Sequence, residues 1–144
     1  MERTVIRNGF VASQDAKLGD QDGIDVLIEA DEIVTVEKNI QVADAREIDA
    51  SGFIVMPGFV DGHKHIWQGA MRGVCADWSI MDYLTSIRMN AARFYTAEDM
   101  YAAQLHGGLE ALNAGVTTVT DYCHNILTPD HAHEAIRGVA ESGL

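Results

Sequence analysis

The chain has 144 residues, 47% of them hydrophobic and 22% charged, with 22 acids against 10 bases and a formal charge of −12. This is a globular balance able to bury a core, which excludes intrinsic disorder, and the lack of any Lys/Arg cluster argues against nucleic acid or an anionic membrane as partner. The acids are spread, 12 against 5 bases before Gly52 and 10 against 5 after it, so the charge favours solubility and specifies little else. No run is long enough to span a bilayer and the opening Glu2-Arg3-Thr4-Val5-Ile6-Arg7 lacks the apolar segment of a secretory signal, so the cytoplasm is the expected location. Cys75 and Cys123 stand far apart with no Cys-x-x-Cys, which suggests two buried thiols rather than a disulfide or a thiolate zinc site.

Residues 1–52 read as a small all-β, sandwich-like unit. Thr4 to Arg7, then Asn8-Gly9, then Phe10 to Ala12 predicts a hairpin, because Asn-Gly tolerates the positive φ of a type I′ turn. A polar loop from Ser13 to Gly23 follows. Ile24 to Glu29 and Ile33 to Glu37 are two further strands around Asp31-Glu32, and Ala45 to Asp49 is another.

From Phe53 the pattern changes. Phe53-Ile54-Val55-Met56, Pro57-Gly58 and Phe59-Val60 together predict one strand covered on both sides, as in a parallel sheet, ending in Asp61-Gly62-His63-Lys64-His65. Residues two apart on a strand share a face, so His63 and His65 can reach one metal ion while Lys64 points elsewhere. On the residues alone they are either a ligand pair or packed core histidines. His131-Ala132-His133 has the same spacing but follows Thr128-Pro129-Asp130, an N-cap with Pro at the first helical position; on a helix such a pair diverges, and both are expected to be solvated.

Ser79 can cap a helix carrying Ile80, Tyr83, Leu84 and Ile87 on one side. Thr96-Ala97-Glu98-Asp99 resembles a capping box opening a second helix, with a core stripe of Tyr101, Leu105, Leu109 and Leu112, Met100 at its edge, and Ala114-Gly115 as the stop. Val116 to Asp121 is a β-branched strand, and Pro129 to Ser142 a helix with Ala135, Ile136 and Val139 inward. Two β/α units in sequence imply a parallel sheet with right-handed crossovers. An eight-unit barrel takes about 250 residues, whereas about 90 follow Gly52. Residues 53–144 are therefore expected to be the first two units of an incomplete (β/α)8 barrel belonging to a larger protein.

The sequence resembles the amidohydrolase superfamily, in the branch of chlorohydrolases and guanine- and adenosine-type deaminases. The resemblance rests on Pro57-Gly58-Phe59-Val60-Asp61-Gly62-His63-Lys64-His65, on Met71-Arg72-Gly73 and on Trp78-Ser79-Ile80-Met81-Asp82-Tyr83-Leu84. It continues through Thr96-Ala97-Glu98-Asp99 and Leu109-Glu110-Ala111-Leu112-Asn113-Ala114-Gly115-Val116-Thr117-Thr118-Val119-Thr120-Asp121. It implies that His63 and His65 end the first barrel strand and bind one divalent metal ion, zinc or alternatively iron. Two more histidines and an aspartate, the last also acting on the water, are expected beyond Leu144. Neither His106 nor His124 matches a family ligand position.

The implied chemistry is hydrolysis by a metal-activated water at a carbon bearing an amino or other leaving group, with an aminated purine, pyrimidine or triazine-like ring as substrate. Dechlorination, cyclic amide hydrolysis and a non-catalytic assembly role are the alternatives. Asp61 either orients His63 or caps a loop. Trp67 and Gln68 would line the pocket mouth by stacking and hydrogen bonding, unless Trp67 is structural; Arg72 supports the loop or touches substrate. The His-x-Glu with Pro-Cys-x-x-Cys signature of cytidine-type deaminases and the His-Glu-x-x-His of metalloproteases are both absent. The expected partners are a small-molecule substrate and further copies of the full-length protein, with no nucleic acid and no membrane. The 144 residues alone are expected to be inactive.

Overall fold

The computed structural model describes residues 2–144, which form a first compact unit ending at Pro57 and a second spanning Gly58–Leu144. No helix among the described residues is long and apolar enough to cross a membrane.

The first unit is one mixed sheet of β1 (Arg3–Ala12), β2 (Asp20–Glu29), β3 (Glu32–Glu37), β4 (Arg46–Asp49) and β5 (Ile54–Val55). β1 pairs antiparallel with β2, and along its other edge takes β4 beside Thr4–Arg7 and β5 beside Phe10–Val11, both parallel. Asn8-Gly9 therefore does not turn a hairpin. Asn8 does adopt φ 59°, but inside β1, where the pairing with β2 jumps between Ile6 and Gly9. This bulge resets the alternation of faces. Val5 packs with Leu27 and Ile40 on one side, whereas Val11, which strict alternation would place with Val5, packs with Ile24 and Val26 in the cluster that also contacts Ile6.

One buried charged group ties this sheet to its loops. Asp25 is 3% exposed and accepts hydrogen bonds from Asn8 N (3.0 Å), Ile40 N (3.1 Å) and Arg7 Nη1 (2.8 Å). Arg7 also donates to the Ile40 carbonyl and to Glu47. Burial alone would raise the Asp25 pKa, but the hydrogen bonds from Asn8, Arg7 and Ile40 and the Arg7 charge outweigh it and hold the carboxyl below its ordinary value.

In the second unit β6 (Phe59–Lys64) leads into a 3-10 turn at Ile66–Met71, then α1 (Ile80–Tyr83), a π-helical turn at Leu84–Arg88 and a 3-10 turn at Ala91–Phe94. α2 (Ala97–Asn113), β7 (Val116–Asp121) and α3 (Pro129–Ser142) follow. β6 and β7 pair in parallel. The run predicted as one strand from Phe53 is divided: Ile54–Val55 joins β1 of the first unit, and β6 begins only after Pro57-Gly58. Nor is β6 covered on both faces among the described residues, since Phe59 and Val60 are 56% and 73% exposed.

Ser79 and Thr96 each close a capping box, with Asp82 and Asp99 returning the bond, and Thr128 caps α3 ahead of Pro129. The buried faces differ from those predicted. α2 buries Met100, Ala103, Gln104, Gly107, Gly108 and Ala111, while Leu109 is half exposed; on α3 Ile136 faces out, as do Ile80 on α1 and Leu84 in the turn that follows it. Small residues govern the contact because α2 and α3 approach almost to backbone distance. A Cβ on Gly138 would stand 2.6 Å from the Tyr101 carbonyl and 2.9 Å from the Gln104 Cβ. Gly138→Ala gains about 1 kcal/mol of helix propensity but must push two helices apart, so a net loss of about 1–2 kcal/mol is expected in urea unfolding.

Candidate metal centre

β6 carries the histidine pair at its carboxyl end, with His65 the first residue past Lys64. The two rings are adjacent, with centroids 5.0 Å apart and planes at 84°. The His63 ring stacks on Tyr122, just past the end of β7, at 4.3 Å. His65 Nδ1 lies 2.7 Å from the Tyr122 carbonyl oxygen. A carbonyl only accepts, so His65 Nδ1 carries the proton and Nε2 holds the lone pair. That is the nitrogen a metal ion would take, with the other nitrogen held by a main-chain acceptor.

Two carboxylates fix the main chain around the pair. Asp61 Oδ1 accepts from the His63 backbone N–H at 3.0 Å, so its carboxylate serves the backbone of that histidine and not its ring. Asp121, at the end of β7, accepts from Ile66 N (3.1 Å) and from Gln104 Nε2 (2.8 Å), tying the turn after His65 to α2. Gln104 Nε2 also reaches Cys123 Sγ at 3.1 Å; burial, then the Asp121 charge, raises the Cys123 pKa and keeps it a thiol. Both cysteines are half-buried and free, less enclosed than predicted.

Several predicted roles change here. Trp67 cannot stack on a ligand at a pocket mouth: it is 0% exposed and packs with Ile87, Ala92, Met100 and Ala135, because the 3-10 turn after His65 directs it into the core. Gln68 donates to Tyr83 Oη at 2.5 Å. Arg72, mostly exposed, pairs with Glu110 at 3.1 Å and so holds its loop to α2. His131 is not solvated: it is buried, with Nε2 2.9 Å from the Tyr95 carbonyl and Nδ1 2.7 Å from Thr128 Oγ1. His133 is exposed, so that pair does diverge on its helix, and His106 is exposed on α2.

The residue that spacing did not assign to the site is His124. Its ring lies 4.1 Å from that of His65, and its Nδ1 accepts from Trp67 Nε1–H at 3.1 Å. The residue stays largely exposed, but partial desolvation of its ring, then the nearby Arg88 cation and His65, lower its pKa. Only the parallel pairing of β6 and β7 joins positions so far apart in the chain. Among the described residues no three His, Cys, Asp or Glu side chains converge on a metal position.

Parallel strands joined through helices, with a histidine pair where the first strand ends, define the class: the opening of an α/β barrel that places its chemistry at strand ends. The Amidohydrolase family model matches residues 54–142, and the chain belongs to that family. It is 37% identical over its whole length to a 5-methylthioadenosine/S-adenosylhomocysteine deaminase of Symbiobacterium thermophilum, covering 34% of that protein. To a 5'-deoxyadenosine deaminase of Methanosarcina barkeri it is 32% identical, again over its whole length and 32% of that protein. An atrazine chlorohydrolase of Arthrobacter aurescens, solved with zinc and atraton, superposes with a TM-score of 0.84 at 24% identity, over 98% of this chain and 34% of that one. That last likeness concerns the fold. The chain spans about a third of the length of the curated relatives it matches.

Proposed function

We propose that this chain supplies the first two ligands, His63 and His65, of a divalent metal centre, zinc or alternatively iron. The full-length protein would hydrolytically deaminate an aminated heteroaromatic ring, with adenosine-type purines the first class to test. The observation that carries this is the adjacent imidazole pair with the His65 Nε2 lone pair left free by the Tyr122 carbonyl. The donor chemistry fits, since neutral imidazoles are common zinc ligands and suit iron. A metal ion held there supplies Lewis acidity and an activated water at neutral pH.

The chain's own residues hold and orient the pair. Tyr122 fixes the His65 tautomer through its carbonyl and stacks its ring on His63, while Asp61 and Asp121 pin the backbone on either side. The remaining ligands and the acid/base group would come from further barrel strands. The relatives named as deaminases of adenosine-type compounds favour amine release over dechlorination, cyclic amide hydrolysis or a binding role.

The test is a panel of aminated purines, pyrimidines and triazines assayed for ammonia with full-length, zinc-loaded protein. Release from at least one ring, lost on chelation and restored by zinc, is expected. Turnover of halogenated rings or cyclic amides alone would overturn the deaminase assignment and leave the hydrolase; no turnover of any would favour a non-catalytic role.

A further inference from the structure

We propose that His124, seated on Trp67, is a positioning residue that holds His65 in the orientation a metal ion requires; this rests on the reading of His63 and His65 as metal ligands. An indole N–H can only donate, so the Trp67 contact places a lone pair on His124 Nδ1. With Nδ1 unprotonated the ring proton must sit on Nε2, and neither nitrogen is free to bind metal. His124 is thereby barred from being a third ligand although its ring is only 4.1 Å from that of His65.

What it does is confine that ring. The two imidazoles are tilted by 35° in face contact, and both residues address one acceptor: the Tyr122 carbonyl takes His65 Nδ1 at 2.7 Å and the His124 backbone N–H at 2.9 Å. His124 is itself fixed from two sides. Trp67, wholly buried, grips its ring, and Arg88 donates to its carbonyl at 3.0 Å while lying 5.7 Å over the Trp67 indole. The chain linking core to ligand is Met100 and Ala92 against Trp67, Trp67 to His124, and His124 to His65. Partners of this outer kind typically change metal affinity about 10–100-fold when removed.

The experiment measures zinc affinity of the full-length protein by competition with a chromophoric chelator, alongside thermal unfolding of the metal-free form. His124→Ala should weaken zinc about 10–100-fold at unchanged stoichiometry. His124→Phe restores a ring beside His65 but leaves the Trp67 N–H without an acceptor; combining it with Trp67→Phe removes that orphan donor and should return affinity to within a few-fold of wild type. Nitrogen-15 NMR of the histidines should show His65 protonated at Nδ1 in the wild type and a mixture of tautomers in His124→Ala. Zinc affinity and His65 tautomer both unchanged in His124→Ala would overturn the proposal, as would a drop in stoichiometry, which would make His124 a ligand. If the wild type binds no zinc, the metal-site reading fails, and the tautomer measurement alone then decides whether His124 positions His65.

Discussion

His63→Ala or His65→Ala is expected to remove tightly bound zinc from the full-length protein and to lower kcat/KM by about 10³-fold or more, since a metal supplies several kcal/mol of transition-state stabilisation. The two effects should appear together, because both rings lie at the surface and neither belongs to the buried core of the described residues. Among the described residues the His63 ring stacks on Tyr122 and His65, and the His65 ring makes one hydrogen bond, to a main-chain carbonyl, beside its contact with His124. Thermal stability of the metal-free protein should move little. The chain contains its own controls. His133→Ala, at the same spacing but exposed on α3, should leave metal and activity unchanged, whereas His131→Ala should cost about 1–3 kcal/mol of stability by stripping partners from Thr128 and the Tyr95 carbonyl, with zinc retained. Metal analysis with steady-state kinetics checks the first pair of variants, and calorimetry the second. Zinc retained in both His63→Ala and His65→Ala would place the metal elsewhere.

Asp25→Ala should be the most destabilising single change in the first unit. It strands the Arg7 guanidinium and the backbone N–H groups of Asn8 and Ile40, all of which converge on this carboxylate. Breaking a buried ion pair costs about 3–5 kcal/mol, and the lower end is expected because Arg7 keeps Glu47 and some contact with water. The pH dependence follows from the lowered Asp25 pKa. A carboxyl whose folded pKa lies below its unfolded value of about 3.9 contributes stability that is fully present above that pH. That contribution is lost as the pH falls through the folded pKa. Urea unfolding of wild type and Asp25→Asn should therefore show a constant gap from pH 7 to about 5, narrowing below about 4. A gap that widened in acid would contradict the depressed carboxyl.

Wherever a feature depended on residues within a few positions of each other, the sequence alone determined it. Ser79 with Asp82 and Thr96 with Asp99 form their capping boxes, Pro129 opens α3, and the β-branched run after Gly115 is a strand. The rings of His63 and His65, which the strand period places together, lie adjacent, although the β6–β7 register shifts between Asp61 and Lys64 and His65 stands just past β6. Asn8 shows the boundary. Its positive φ was legible, but whether that makes a turn or a bulge depends on β2, whose partner residues are Val26 and Ile24.

Tertiary structure decided everything set by distance of approach. Leu109 and Ile136 look like core by size, yet helices that meet at Gly108 and Gly138 exclude large side chains and turn them outward. Trp67 looks like a pocket residue by its place after the ligand strand, yet a 3-10 turn rotates it fully into the core. The role of His124 could not be read from position, because its partners His65 and Trp67 meet it only when β6 and β7 pair in parallel. Hydrogen-bond chemistry then assigns what sequence spacing cannot: the Trp67 N–H and the Tyr122 carbonyl each leave one tautomer open to their histidine, so the Nε2 lone pair of His65 is free while the Nδ1 lone pair of His124 is taken by Trp67.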